Sequence, residues 1–124
     1  MSSERLRTMS AEQLVREFHS IAVRQGRALL GEDNQAYNTM YDQMEGVEAE
    51  LRSREGDQRH ALLPLLNDPN THVRLKTAIS CLKIAPAAAR QTLQAIVDAD
   101  DFSEAVVYAR GMLSALDEGR YVPQ

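Results

Sequence analysis

The stretch ALLPLLNDPNTHVRLKTAISCL, from Ala61 to Leu82, decides the fold. Leu62, Leu63, Leu65 and Leu66 make one helical ridge, Asn67-Asp68-Pro69-Asn70 breaks it, and Val73, Ala78 and Leu82 resume at helical spacing. Two apolar helices joined by a tight polar turn bury one another as an antiparallel hairpin. Such a unit leaves function to exposed side chains, which no spacing rule identifies.

Upstream, Ser10 and Gln13 have the spacing of a capping box. The helix they open carries Leu14, Val15, Phe18, Ile21, Ala22, Ala28 and Leu29 mostly on one side until Gly31 ends it. A second helix over about 33–54 repeats Tyr37, Met40, Met44, Val47 and Leu51 in steps of three and four, with Gly46 weakening it slightly. Gly56 supplies a left-handed stop, Asp57 is placed to cap a third helix, and Pro64 implies either a kink in that helix or a later start. Asp68 is expected to cap the fourth helix, with Pro69 in its first position, and Pro86 ends that helix at Ile84-Ala85. A fifth helix covers about 86–98 with Leu93, Ile96 and Val97 inward. Asp98 to Asp101 form an acidic turn, Ser103 caps a sixth helix, and Gly119 closes it.

Strand alternation is absent, so the fold class is all-α. Residues 1–9 read as a flexible N-terminal segment, 10–119 as a single helical-repeat domain and 120–124 as a C-terminal tail. The expected core is Phe18, Met44, Leu51, Leu66, Val73, Ala78, Cys81, Leu82, Ile96, Ala109 and Leu113.

The chain has 124 residues, of which 44% are hydrophobic, enough for one core. With 5% aromatic residues, no Trp and five Met, that core is aliphatic. A formal charge of −4 and a pI near 5.3 argue against a nucleic-acid partner, whose affinity rests on clustered Lys and Arg. Cys81 is alone, so no intrachain disulfide forms and nothing points to an oxidising compartment. No early apolar run has the length of a signal peptide core or a membrane span; a cytoplasmic protein with no membrane partner is expected.

A shift of 31 residues superposes Leu62 on Leu93, Leu65 on Ile96, Leu66 on Val97, Ala78 on Ala109 and Leu82 on Leu113, as tandem hairpins would. The sequence Leu66-x-Asp68-Pro69-x-x-x-Val73-Arg74 resembles the turn by which HEAT and armadillo-type repeats pass between their two helices. Tyr37 to Met44, Glu48 to Leu51, Gly56 to Arg59, Val73 to Lys76 and Ala85 to Arg90 are similar to a family of small bacterial HEAT-like proteins classed as a domain of unknown function. The resemblance covers about 10–119. It implies a right-handed α-α superhelix of three hairpins and brings no catalytic residue with it. Glu104 stands where the repeat would place Val73, so the last turn departs from the pattern.

His19, His60 and His72 fall in three different helices, none three or four residues from another His or Cys, and read as surface or turn histidines rather than metal ligands. Cys81 lies among apolar neighbours as a small packed hydrophobe. Asp98, Asp100 and Asp101 lack the glycine and later Glu of a calcium loop, and no phosphate-binding glycine loop or nucleophile elbow occurs. No cofactor and no metal are expected.

Asp42, Glu45 and Glu48 are neighbours on the second helix, with Arg52 placed to neutralise Glu48. Lys76, Ser80 and Lys83 form the polar stripe of the fourth helix. Asp68 and Arg74 read as structural, Arg74 tying to a carbonyl or carboxylate of an adjacent turn, at Asp68 or Asp101. The best functional reading is a non-catalytic module binding an unidentified protein or peptide. Its concave face is made by Asp42, Glu45 and Glu48, by Lys76, Ser80 and Lys83, and by Val107, Tyr108 and Gly111 of the sixth helix. The alternatives are a small hydrolase or metal-dependent enzyme using the three carboxylates, and a structural or oligomer-forming protein such as a homodimer.

Overall fold

A computed structural model describes residues 3–124 of the chain. The described residues hold six α-helices, one 3-10 helix and no strand: α1 (Ser3–Arg7), α2 (Ala11–Leu30), α3 (Asn34–Ser53), the 3-10 helix Gln58–Asn67, α4 (Thr71–Cys81), α5 (Pro86–Ala99) and α6 (Glu104–Asp117). They divide into two compact units, one ending at Leu62 and one beginning at Leu63.

In the first unit, α2 opens on the capping box: the Ser10 hydroxyl accepts from Gln13 N at 3.1 Å, and the Gln13 amide oxygen accepts from Ser10 N at 2.8 Å. Asp33 does the same for α3, accepting from Ala36 N at 3.0 Å. The two helices pack along their length, burying Leu14, Phe18, Ile21 and Ala22 of α2 and Met44, Val47 and Leu51 of α3.

Within the first nine residues, expected as a flexible segment, residues 3–7 form α1; Met1 and Ser2 lie outside the described residues. Helix α1 packs on α3 with Leu6 buried. Gly46 of α3 faces this contact, and a Cβ there would stand 3.5 Å from Leu6 Cδ1, an ordinary packing distance. The Arg54 guanidinium then clamps the turn after α1, donating to the carbonyls of Leu6 at 3.2 Å and Met9 at 2.6 Å while holding Glu50 at 2.9 Å.

Between the units, the third expected helix winds as 3-10 throughout. In an α-helix Pro64 would leave the His60 carbonyl without its donor and press its ring against that carbonyl. Neither the kink nor the later start occurs; the whole segment tightens instead.

In the second unit, α4, α5 and α6 each pack on the other two. Leu75, Ala78, Leu82, Ala89, Leu93, Ile96, Val106 and Ala109 are buried there, whereas Leu113, expected in the core, is half-buried. Helix α4 begins two residues later than the sequence suggested: Asn70, not Asp68, is its cap, accepting from Val73 N at 3.1 Å. The Asp68 carboxylate instead accepts from Asn70 N at 2.9 Å, shaping the turn, and Pro69 lies before the helix rather than in its first position. Pro86 does start α5.

Candidate functional site

The residues read as a binding face divide by environment. In the first unit Asp42 and Glu45 are exposed on α3, while Glu48 is half-buried. Glu48 belongs to an ion cluster that sequence reading did not identify. The Arg59 guanidinium, with 2% of the residue exposed, donates to both oxygens of Asp57 at 2.9 and 2.7 Å and reaches Glu48 at 3.5 Å. The fork-on-fork contact with Arg59 holds the Asp57 carboxyl below its usual range, and Asp57 in turn raises the Arg59 pKa further. Backbone shape enforces the geometry. Gly56 (φ 77°) and Asp57 (φ 55°) are both left-handed, which turns the chain so that Asp57 faces the side chain two residues on. Arg52, expected to neutralise Glu48, is exposed, and the buried cation at Glu48 is Arg59. The sequence signal was present in Gly-Asp-x-Arg: an acid in a left-handed turn two residues before a long cation.

In the second unit the expected polar stripe of α4 is largely inside. Ser80 is buried, Lys76 is half-buried and Lys83 alone of the three is exposed, so Ser80 lines no open face. His72, one turn before Lys76, is 8% exposed, which corrects its reading as a surface histidine. Burial, reinforced by the Lys76 charge, pushes the His72 pKa down to about 4, so the imidazole is neutral near pH 7. Arg74 donates to the Asp68 carbonyl at 2.7 Å and to the Thr71 hydroxyl at 3.0 Å.

Helix α6 presents Val107, Tyr108 and Gly111 to solvent; Val107 is 62% exposed and a Cβ on Gly111 would meet nothing within 4 Å. Sequence reading missed a further exposed apolar side chain. Phe102, in the turn before α6, is 94% exposed at φ 61°, a conformation unusual for a bulky side chain. Asp100 is left-handed as well, at φ 42°. The Asp101 carboxylate accepts from Ser103 N at 3.0 Å, and bonding to Ser103 holds its pKa below the usual value. Ser103 occupies the cap position of α6 without capping through its hydroxyl, contrary to expectation. A phenylalanine among Asp100, Asp101 and Glu104, in a turn with nothing to bury it, was the available signal.

No three His, Cys, Asp or Glu side chains among the described residues are grouped to hold a metal ion. Asp42, Glu45 and Glu48 therefore do not converge with a histidine, and Cys81 is a buried free thiol. Among the described residues no helix is long and apolar enough to cross a membrane.

Residues 12–117 match the model of a family described as a domain of unknown function, DUF2019. The chain is also similar to the crystal structure of the protein RPA1889 from Rhodopseudomonas palustris CGA009, at 39% identity and a TM-score of 0.92, over 96% of this chain and 98% of that one. No curated protein matches.

Proposed function

The chain belongs to the DUF2019 family, a domain of unknown function, and from that premise we propose that it is a non-catalytic, HEAT-like module that binds a protein or peptide in the cytoplasm. The observation that carries this reading is the set of exposed apolar side chains around the start of α6. Phe102, Val107 and Tyr108 are large, exposed and close in sequence, and Gly111 leaves the helix flat one turn further on. Carboxylates of Asp100, Asp101 and Glu104 flank them, so the partner they suit offers an apolar pocket with a basic rim. A bulky residue held at positive φ is retained against a cost of about 1–3 kcal/mol, as expected where strain presents a side chain to a partner. Against the enzyme reading stand the solvated Asp42 and Glu45 and a Glu48 already paired with Arg59.

The test is co-purification from the native host with identification of the protein retained, followed by its measured affinity for Phe102→Asp and Val107→Asp variants. Both should bind at least about tenfold more weakly, each losing a buried apolar contact of 1.4 kcal/mol or more, with helix content intact. Unchanged affinity in both, or loss instead in Asp42→Asn, would put the partner elsewhere.

A further inference from the structure

A groove of about 350 Å³ lies within the second unit, open to solvent along one side of α5. Ala88, Gln91, Thr92 and Ala95 form one wall at the three- and four-residue spacing of a single helix face, and Leu66 and Asn67 form another. Arg74 closes it.

The state of Arg74 gives the groove its chemistry. A guanidinium has five N–H donors, and here one is given to the Asp68 carbonyl and one to the Thr71 hydroxyl. These contacts fix the plane of the fork, yet neither partner is an anion. Among the described residues no carboxylate forms a salt bridge to Arg74, although Asp101 is near enough to feel its charge. Arg74 is half-buried, so part of its guanidinium still faces the solvent side of the groove. The contrast within this chain is direct: Arg59 holds two carboxylates. No Asp or Glu lines the groove, and Asn67, Gln91 and Thr92 make no side-chain hydrogen bond to the described residues.

We propose that this groove binds a small organic monocarboxylate, its two oxygens on the preorganised Arg74 fork and its short hydrocarbon chain on the methyl groups of Ala88, Ala95 and Leu66. The volume lies at the low end of small-molecule sites, which suits an acid of a few carbons. A single guanidinium matches one carboxylate; a phosphate dianion would be better met by a second cation, and none lines the groove. The side-chain amides of Asn67 and Gln91 and the Thr92 hydroxyl are placed to bond a polar substituent on the acid.

Titration of the full chain with butyrate, followed by amide and arginine side-chain NMR shifts, tests this. 1-Butanol and butylamine at matched ionic strength are the controls. Saturable shifts at Arg74, Gln91, Thr92 and Ala95 are expected with butyrate, and at least tenfold weaker effects with either control. Ala95→Phe fills the groove without touching the contacts of Arg74 and should abolish saturation while leaving the melting temperature unchanged. Arg74→Lys keeps the charge, loses the fork, and should weaken binding at least tenfold. Non-saturating shifts, equal binding of butanol, or wild-type affinity in Ala95→Phe would overturn the assignment. So would tighter binding of N-acetyl-glutamate amide than of butyrate, which would make the groove a subsite for a peptide side chain.

Discussion

The neutral, buried His72 makes stability fall with acid in a defined window. In the unfolded chain its pKa is that of a free imidazole, 6.5, whereas the folded value is about 4. Above pH 6.5 both states are neutral and the folded state has its full stability. As pH falls from 6.5 toward 4 the unfolded state takes up a proton that the folded state refuses, so stability declines; below about 4 both are charged and the loss is complete. The gap corresponds to about 3 kcal/mol in the limit and about 2 kcal/mol by pH 5. Urea unfolding at pH 7.5, 6 and 5 should show this loss, and replacement by Leu should abolish most of it, because the variant has no imidazole to protonate. An NMR titration of the His72 ring gives the folded pKa directly. Equal loss of stability in wild-type and His72→Leu over this window, or a ring midpoint near 6.5, would refute the argument and place His72 in water.

Three further outcomes follow from the contacts described. Asn70→Ala should lower stability by about 1 kcal/mol through loss of the α4 cap, whereas Lys83→Ala should change it by less than about 0.5 kcal/mol; thermal melts separate them. Arg59→Ala strands two carboxylates and empties a buried volume, and should cost about 3 kcal/mol in chemical denaturation, at the low end for a broken buried pair because Asp57 and Glu48 keep some contact with water. Phe102→Asn should be neutral to stabilising by up to about 1 kcal/mol, since the phenyl ring buries almost nothing and Asn tolerates positive φ better; a marked loss in the melt would mean that the ring is packed.

Local signals carried most of the helical segmentation. The Ser10 and Gln13 box and the start at Pro86 are decided by residues within four positions of one another, and the helices begin where those residues stand; the left-handed Gly56 follows the end of α3 at Ser53 by three residues. Helix α1 was illegible for the opposite reason. Five mostly polar residues have little helical preference of their own, and what holds them, packing on α3 and the Arg54 guanidinium, lies far along the chain. The α4 cap failed differently: Asp68 and Asn70 are both good caps, and only the three-dimensional course of the turn assigns one to the helix and the other to the turn itself.

The candidate face was legible in part, and its errors share a cause. Residues 72, 76 and 80 lie along one side of α4, with Lys83 just past its end, and their polarity read as exposure. The helix is instead covered by both α5 and α6, and most of its positions are buried. Polar groups enter that interior by finding short-range partners or by giving up charge: the Thr77 hydroxyl returns to the Val73 carbonyl at 2.7 Å, and His72 stays neutral. Arginine cannot take the second route, which is why its surroundings carry more information than its position. Arg59 is satisfied by acids that are part of the fold. Arg74 is held in place by a carbonyl and a hydroxyl, with Asp101 close enough to feel its charge but no acid in salt-bridge contact, and the groove in front of it lacks any acid. A residue that looks structural from its place in a helical turn thus becomes the strongest ligand-directed group in the second unit once its partners are known.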